Sequence, residues 1–487
     1  MLRLANGSLI ATLAACIVTP ALAQHACTGP EALRSGWSTS FTPPCIDRNG
    51  RLAGGSQVIH LVPHKGRLYA ANGYWKDGRN VWYGGTNAGT GWSQVLALAG
   101  PGQPWAVDLE LGPQHLRTEL LKSLTFIQDS MGRPLPAPET FLMAATYDVP
   151  SARGVSLFVR DDQTGSWTAS KVIAGNTGQK GEDNSVRAAA VHRDRVTGRE
   201  RLFLSVGVLG IYTATYDPAA RGRFAWSPRP ELGPTRTRTL SLVEADGSLF
   251  ASEGTQIFQR IDGESPRWMS VADLSGEADS ATTRAAFQSI GGIRGLSSIA
   301  GPVPGKRSLI FVWTSGRTSR ACVFRLDPQP NGSWRRERET CLADLVGQYL
   351  NGAPIGFVLA GYNEFTPLSD PATGAPLHLV GLEAFIVDAG AGRALQPLTA
   401  HNQPNSKGGF YGGALYALRD ASGRWRIAEV NGRHRKGDRE LVSIYTAAVS
   451  PFDRDTVYLG GYDPNDFPSS DTGWAYSTSL PNLVGGR

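Results

Sequence analysis

One unit recurs along this chain: an apolar strand ends in a turn containing Asp, Asn or Gly, and a Trp then opens the next strand. Its most regular copies run from Leu157-Phe158-Val159 to Gly165-Ser166-Trp167, from Val323-Phe324-Arg325-Leu326 to Gly332-Ser333-Trp334, and from Leu415-Tyr416-Ala417-Leu418 to Gly423-Arg424-Trp425. Looser copies end at Trp92, Trp226, Trp268 and Trp474. Each reads as a hairpin, with alternating apolar residues followed by turn chemistry. Two more strands precede each hairpin, such as Leu202-Phe203-Leu204 and Val457-Tyr458-Leu459. Four strands per unit, in seven units of about 40 to 75 residues, predict an all-β seven-bladed β-propeller with four antiparallel strands per blade. The expected blades lie near 57–98, 119–174, 185–232, 237–275, 291–344, 357–430 and 440–480, within a domain spanning 57–487. A pair of β-sandwiches is the competing architecture, but similar units with no linker between them argue against it. The Trp is expected to pack between blades, and Trp37 has the same setting, so segment 24–56 is expected to help close the ring.

Composition agrees: 58 glycines, 31 prolines and only 4 methionines suit short strands better than long helices. Residues 1–23 read as an export signal, with Arg3, the apolar stretch Leu9 to Val18 and a small-residue cleavage site at Ala21-Leu22-Ala23. Leu13-Ala14-Ala15-Cys16 also has the form of a lipoprotein site, which is the second reading. No stretch is long enough for a membrane span. Secretion or a periplasmic location follows, and removal of Cys16 leaves four cysteines for two disulfides. Cys27 and Cys45 would staple the N-terminal segment. Cys322 and Cys341 lie symmetrically about Asn331-Gly332, so a hairpin centred there brings them face to face. The formal charge of +6 suits an anionic glycan, and export disfavours nucleic acid as a partner. A monomer is expected.

In a propeller the first strand of each blade starts at one face, and residues at those starts converge on the central channel. These positions are Arg187, Arg236 or Arg238, Arg294, the pair Asn363 and Glu364, and Tyr445. A guanidinium fork grips a carboxylate with two hydrogen bonds, which makes a uronic acid a natural ligand for converging arginines. The alternative is that each arginine pairs with a carboxylate of the protein itself. Of 8 histidines, His115 stands in the segment Trp105 to Arg117 that enters the second blade on the same face, where it can exchange a proton near neutral pH. His401, in a long polar loop of the sixth blade, is the reserve candidate, while His60 reads as a satisfied core residue. Tyr74 and Trp75, in Asn72-Gly73-Tyr74-Trp75, suit stacking against a sugar ring. There is no metal-ligand spacing, phosphate loop or G-x-S-x-G elbow; no cofactor is expected, and a structural calcium in the channel is left open.

Several stretches together resemble a family of secreted seven-bladed propellers of fungi and bacteria. They are Asn72-Gly73-Tyr74-Trp75, the segment Asp108 to Arg117, His192 to Gly198 followed by Gly210-Ile211-Tyr212, and Val449 to Asp453 with Gly460-Gly461-Tyr462-Asp463. Members include polysaccharide lyases that release rhamnose from rhamnosyl-glucuronate ends. The resemblance implies β-elimination at a uronate: arginines neutralise the carboxylate, a His or Tyr removes the C5 proton, and the C4–O bond breaks. His115 would be base or acid with Tyr445 as its partner. Arg187 and Arg238 would hold the carboxylate, with Arg117, Arg294, Asn363, Glu364, Tyr74, Trp75 and His401 binding substrate. The competing readings are a sialidase-like glycoside hydrolase using carboxylates such as Glu364 and Glu253, and a non-catalytic binding propeller.

Overall fold

The computed structural model describes residues 25–27, 32–75, 77–80, 91–149, 154–179, 181–277, 292–315, 320–387, 409–432, 439–464 and 470–485. The expected signal segment 1–23 and His401 lie outside them.

The described chain is almost entirely β, built on antiparallel sheets in which successive strands are neighbours. Three plain four-stranded sheets begin with Val186–Arg193, Thr239–Ala245 and Gly292–Ala300. One eight-stranded sheet holds two further such units, joined where Gly73 of the first faces Arg117 of the second. The unit begun by Ile355–Ala360 carries two extra short strands. In the last sheet, Ser443–Val449, Thr456–Tyr462 and Gly473–Ser479 come from the C-terminal end, and Ser38–Phe41 from the N-terminal segment supplies the outer strand. Trp37 does stand immediately before that strand and is buried.

Turn chemistry sets the hairpins. Asp161 Oδ1 accepts the backbone N–H groups of Gln163 and Thr164 at 2.9 and 3.1 Å, and Gly165 adopts the left-handed φ of 71° that closes the turn. Asp194, Asp370 and Asp420 brace their turns in the same way.

Two boundaries differ from the sequence reading. The first unit ends with the strand Ala106–Glu110, so Trp105 rather than Trp92 opens its outer strand, and Trp92 precedes the third strand Gln94–Leu98. The Gly100-Pro101-Gly102 turn separates these two strands and masks the second in the apolar pattern. Consequently the second unit starts at His115, not near 119. A helix, Leu342–Tyr349, also follows the fifth unit and buries Leu342 and Val346.

Burial is concentrated between sheets. Seven apolar clusters each join one unit to the next, and the cluster containing Val58, Leu68, Trp105, Tyr458 and Ala475 joins the last unit to the first.

The repeating Trp gains a polar role here as well. Arg160 faces Trp167 across its hairpin, Arg260 faces Trp268 and Arg419 faces Trp425. Each pair closes on one carboxylate of the preceding unit. Asp108 accepts Arg160 and the Trp167 indole, Glu231 accepts Arg260 and Trp268, and Glu339 accepts Arg419 and Trp425. Removing one partner of such a buried set strands the others. Glu339→Ala is therefore expected to cost about 3–5 kcal/mol in denaturant unfolding. A change within the ±0.5 kcal/mol of an ordinary surface substitution would contradict this role.

Both disulfides form as expected. Cys27 and Cys45 have Cα atoms 5.0 Å apart, and Cys322 and Cys341 are direct register partners with Cα atoms 3.8 Å apart.

Candidate functional site

The first strands pack in succession. Gln57–His64 lies against both Ser443–Val449 and His115–Gln128, which is followed by Val186–Arg193, Thr239–Ala245 and Gly292–Ala300. The sixth unit departs from this pattern. Ile355–Ala360 and Thr366–Ser369 both pair with Pro376–Ile386, so residues 361–365 interrupt one edge strand and bulge away from it. Gly361 turns with φ 66°, and a Cβ there would sit 3.1 Å from Val312. The bulge delivers Tyr362, Asn363 and Glu364 to a cavity of about 470 Å³, within the size range of small-ligand pockets. His60, Lys122, Arg187, Ser241 and Tyr445 also line it.

At one side of this cavity stands a buried cluster of opposite charges. Arg117 and Glu119 flank a register shift in the strand His115–Gln128, opposite Ala145 and Tyr147, which lets their side chains meet. Arg117 Nη1 pairs with Glu119 Oε1 at 2.7 Å, and Arg187 Nη1 with Glu119 Oε2 at 2.5 Å. The Tyr362 hydroxyl donates to Glu119 Oε2 at 3.1 Å and accepts a hydrogen bond from Arg117 Nη2. The Arg187 guanidinium stacks 3.7 Å from the centre of the Tyr362 ring, whose other neighbour is the stacked Tyr445 ring at 3.9 Å. Burial opposes ionisation of Glu119, but Arg117, Arg187 and Arg238 outweigh it and bring its pKa down to about 2. His60 Nε2 donates to the Glu119 carbonyl, 2.7 Å away, and burial lowers its pKa to about 4, as suits a neutral core histidine.

A second carboxyl has the opposite environment. Glu383 is 5% exposed within the apolar strand Pro376–Ile386, and burial raises its pKa against the influence of Ser443, Tyr462 and Arg294. Ser443 Oγ donates to its Oε2, and the Tyr462 hydroxyl lies 3.2 Å from the same oxygen. Sequence reading missed Glu119, Tyr362 and Glu383. A lone Glu within the apolar run Leu379 to Ile386 was a readable signal, whereas the strand break that presents Tyr362 was marked only by Gly361.

The structure divides the residues expected at the site. Arg187, Asn363, Glu364 and Tyr445 line the cavity, whereas His115, Arg117, Arg238, Arg294, Tyr74, Trp75 and Glu253 do not. The arginine forks assigned to a substrate carboxylate are committed to the protein. Arg117 and Arg187 share Glu119, because a guanidinium this buried needs a carboxylate. Arg238 and Arg294 are 6% and 5% exposed. Asn363 Nδ2 donates to the Ile59 and Tyr445 carbonyls at 2.7 and 2.9 Å, tying strands together. Glu364 pairs with Lys122 at 2.7 Å. Glu253 accepts the backbone N–H groups of Arg236 and Thr237, which makes it a loop brace. Tyr74 is buried, and the Trp75 ring covers the Arg117 guanidinium at 4.8 Å. His115 Nδ1 sits 2.6 Å from Asp148 and 3.1 Å from Thr146 Oγ1, against the Phe158 ring. Among the described residues no cluster of three His, Cys, Asp or Glu is placed to hold a metal, and no helix is long and apolar enough to cross a membrane.

No family model and no curated protein matches this chain. Solved structures similar to it include a protein of unknown function from Dyadobacter fermentans, at 11% identity over 93% of this chain and 99% of that one, with TM-score 0.41. An α-L-arabinofuranosidase from Fusarium graminearum overlaps 94% of this chain and 99% of its own at 9% identity and TM-score 0.37. Another, from Clostridium thermocellum, covers 57% and 92% at 11% identity and TM-score 0.28. Overlap at this level carries no argument about activity.

Proposed function

We propose that residues 57–487, with the outer strand from segment 24–56, form a closed seven-bladed propeller that hydrolyses a glycosidic bond in its central cavity, in the manner of a sialidase-like glycoside hydrolase. The seven inter-unit clusters, the last returning to the first, support the ring. The two disulfides suit an oxidising, extracytoplasmic compartment.

One observation carries the catalytic reading: Tyr362 lines the cavity, and its hydroxyl is hydrogen-bonded to an ionised carboxylate flanked by guanidinium groups. A tyrosine with an adjacent base is an activated nucleophile, and sialidases use one in place of a carboxylate. Tyr362 Oη bonds to the anomeric carbon and passes its proton to Glu119 Oε2, while the glycosidic C–O bond breaks and the leaving oxygen takes a proton. Arg117, already hydrogen-bonded to the phenol oxygen, stabilises the negative charge that develops there. Water then cleaves the tyrosyl glycoside and restores both groups.

β-Elimination of the resembled lyase kind remains the second reading, favoured by the partly exposed His115 imidazole oriented on Asp148. One assay separates the two. Glycosides and polysaccharides of carboxylated and neutral sugars are incubated with the protein, and reducing ends and ultraviolet absorbance are followed together. Hydrolysis predicts new reducing ends with no absorbance of an unsaturated uronide, and His115→Ala should leave that rate within about threefold of wild type, as expected of a residue outside the reacting groups. Absorbance that His115→Ala abolishes would replace the hydrolase by the lyase.

A further inference from the structure

Glu383 lies beyond Tyr445 as seen from Tyr362, and a file of hydroxyl groups joins it to the cavity. The Tyr462 hydroxyl is 3.2 Å from Glu383 Oε2, and the Tyr462 ring packs on the Tyr445 ring with centroids 5.0 Å apart. In this arrangement the Tyr462 hydroxyl donates to Glu383 Oε2, and it also shares a side-chain hydrogen bond with Tyr445. Tyr445 in turn lines the cavity beside Tyr362, and Gln57 Nε2 donates to its oxygen at 3.3 Å. Once the carboxyl carries its proton it can donate to Tyr462, whose hydroxyl then turns from Glu383 to Tyr445 and so aligns the file towards the cavity. The groups facing Glu383 are Ser443 and Tyr445 from one neighbouring strand, Tyr462 from the next and Arg294 from the fifth unit.

We propose that Glu383 is the proton source for the departing glycosidic oxygen, acting through Tyr462 and Tyr445. This rests on the hydrolase reading above. As the glycosidic C–O bond breaks, the leaving oxygen takes the Tyr445 phenolic proton. Tyr445 recovers a proton from Tyr462, and Tyr462 from Glu383, which becomes a carboxylate hydrogen-bonded to Ser443. Water returns the proton between turnovers, and no oxidant or metal takes part. Burial raises the carboxyl's pKa above the usual carboxylate range, the direction a proton donor requires. Tyr445 touches the reacting oxygen; Glu383 and Tyr462 act through it.

Leaving-group dependence tests the relay. An aryl glycoside whose leaving group is a strong acid, such as dinitrophenol, departs without protonation, whereas an alkyl or sugar leaving group needs a proton. Glu383→Gln is expected to lower kcat on the sugar or alkyl glycoside by about 100-fold or more. On the dinitrophenyl glycoside the loss should be at least tenfold smaller, which also confirms that the variant is folded. The alkaline limb of the wild-type pH profile on the poor leaving group should disappear in the variant. Tyr462→Phe, which leaves the carboxyl in place, should show the same split. Equal losses on both substrates, or none on either, in the two variants would overturn the relay while leaving the Tyr362 hydrolase intact. Failure of the wild type to hydrolyse any glycoside would remove the hydrolase itself and the relay with it.

Discussion

Tyr362→Phe is expected to lower kcat for glycoside hydrolysis by roughly 1,000-fold or more while KM changes little, because the nucleophile is removed and the cavity keeps its shape. The phenylalanine ring would keep the stack between Arg187 and Tyr445. Two hydrogen bonds would be lost, one to Glu119 and one from Arg117. Neither loss leaves Glu119 without cationic partners, so the stability cost should stay near 1–3 kcal/mol. Steady-state kinetics beside a denaturant titration reads both quantities. A variant that keeps a tenth or more of wild-type activity would exclude Tyr362 as the nucleophile.

Glu119→Gln should have a large effect on stability. The carboxylate neutralises Arg117 and Arg187 directly and acts on Arg238, and a neutral amide in its place leaves buried cations uncompensated. A loss of about 3–5 kcal/mol is expected at neutral pH. The pH dependence gives an independent check. The Glu119 pKa is depressed from 4.5 when exposed to about 2 in the fold. Its contribution is therefore complete above the unfolded value and disappears as the pH falls through the folded one. The difference between wild type and Glu119→Gln should be constant from pH 7 to about 5 and shrink below that. Parallel curves down to pH 3 would mean that Glu119 is not held ionised by its neighbours.

Much of the architecture was legible because it repeats. Hairpin turns announce themselves through Asp, Asn and Gly at fixed offsets, and Trp167, Trp226, Trp268, Trp334 and Trp425 each stand in an outer strand, although Trp474 stands in a third strand. The same chemistry also revealed the facing pair Cys322 and Cys341. Where the pattern misled, a strand was short and adjoined a glycine-rich turn, as with Ala106–Glu110. The Trp was read as packing alone, since its partner carboxylate sits on another unit and no local spacing reveals it.

The site was less readable. Position at the start of a first strand placed Arg187 and Tyr445 at the cavity, because those starts gather at one face of the ring. Which charges would neutralise one another was not legible. Arg187 and Glu119 are 68 residues apart, and only the packing of neighbouring units brings them together. For that reason the arginines read as open to a ligand when they are engaged by the protein. Tyr362 escaped notice because it sits in a break of the regular strand, where periodicity says nothing.

The nucleophile can be identified chemically. Fluorinated activated glycosides, which form the glycosyl-enzyme faster than water clears it, would be incubated with the full-length protein and the adduct located by peptide mass spectrometry. One added glycosyl group is expected, carried by the peptide containing Tyr362 and absent from Tyr362→Phe. Turnover of the same reagents with the label on a carboxylate, or with no covalent adduct at any stage, would contradict it.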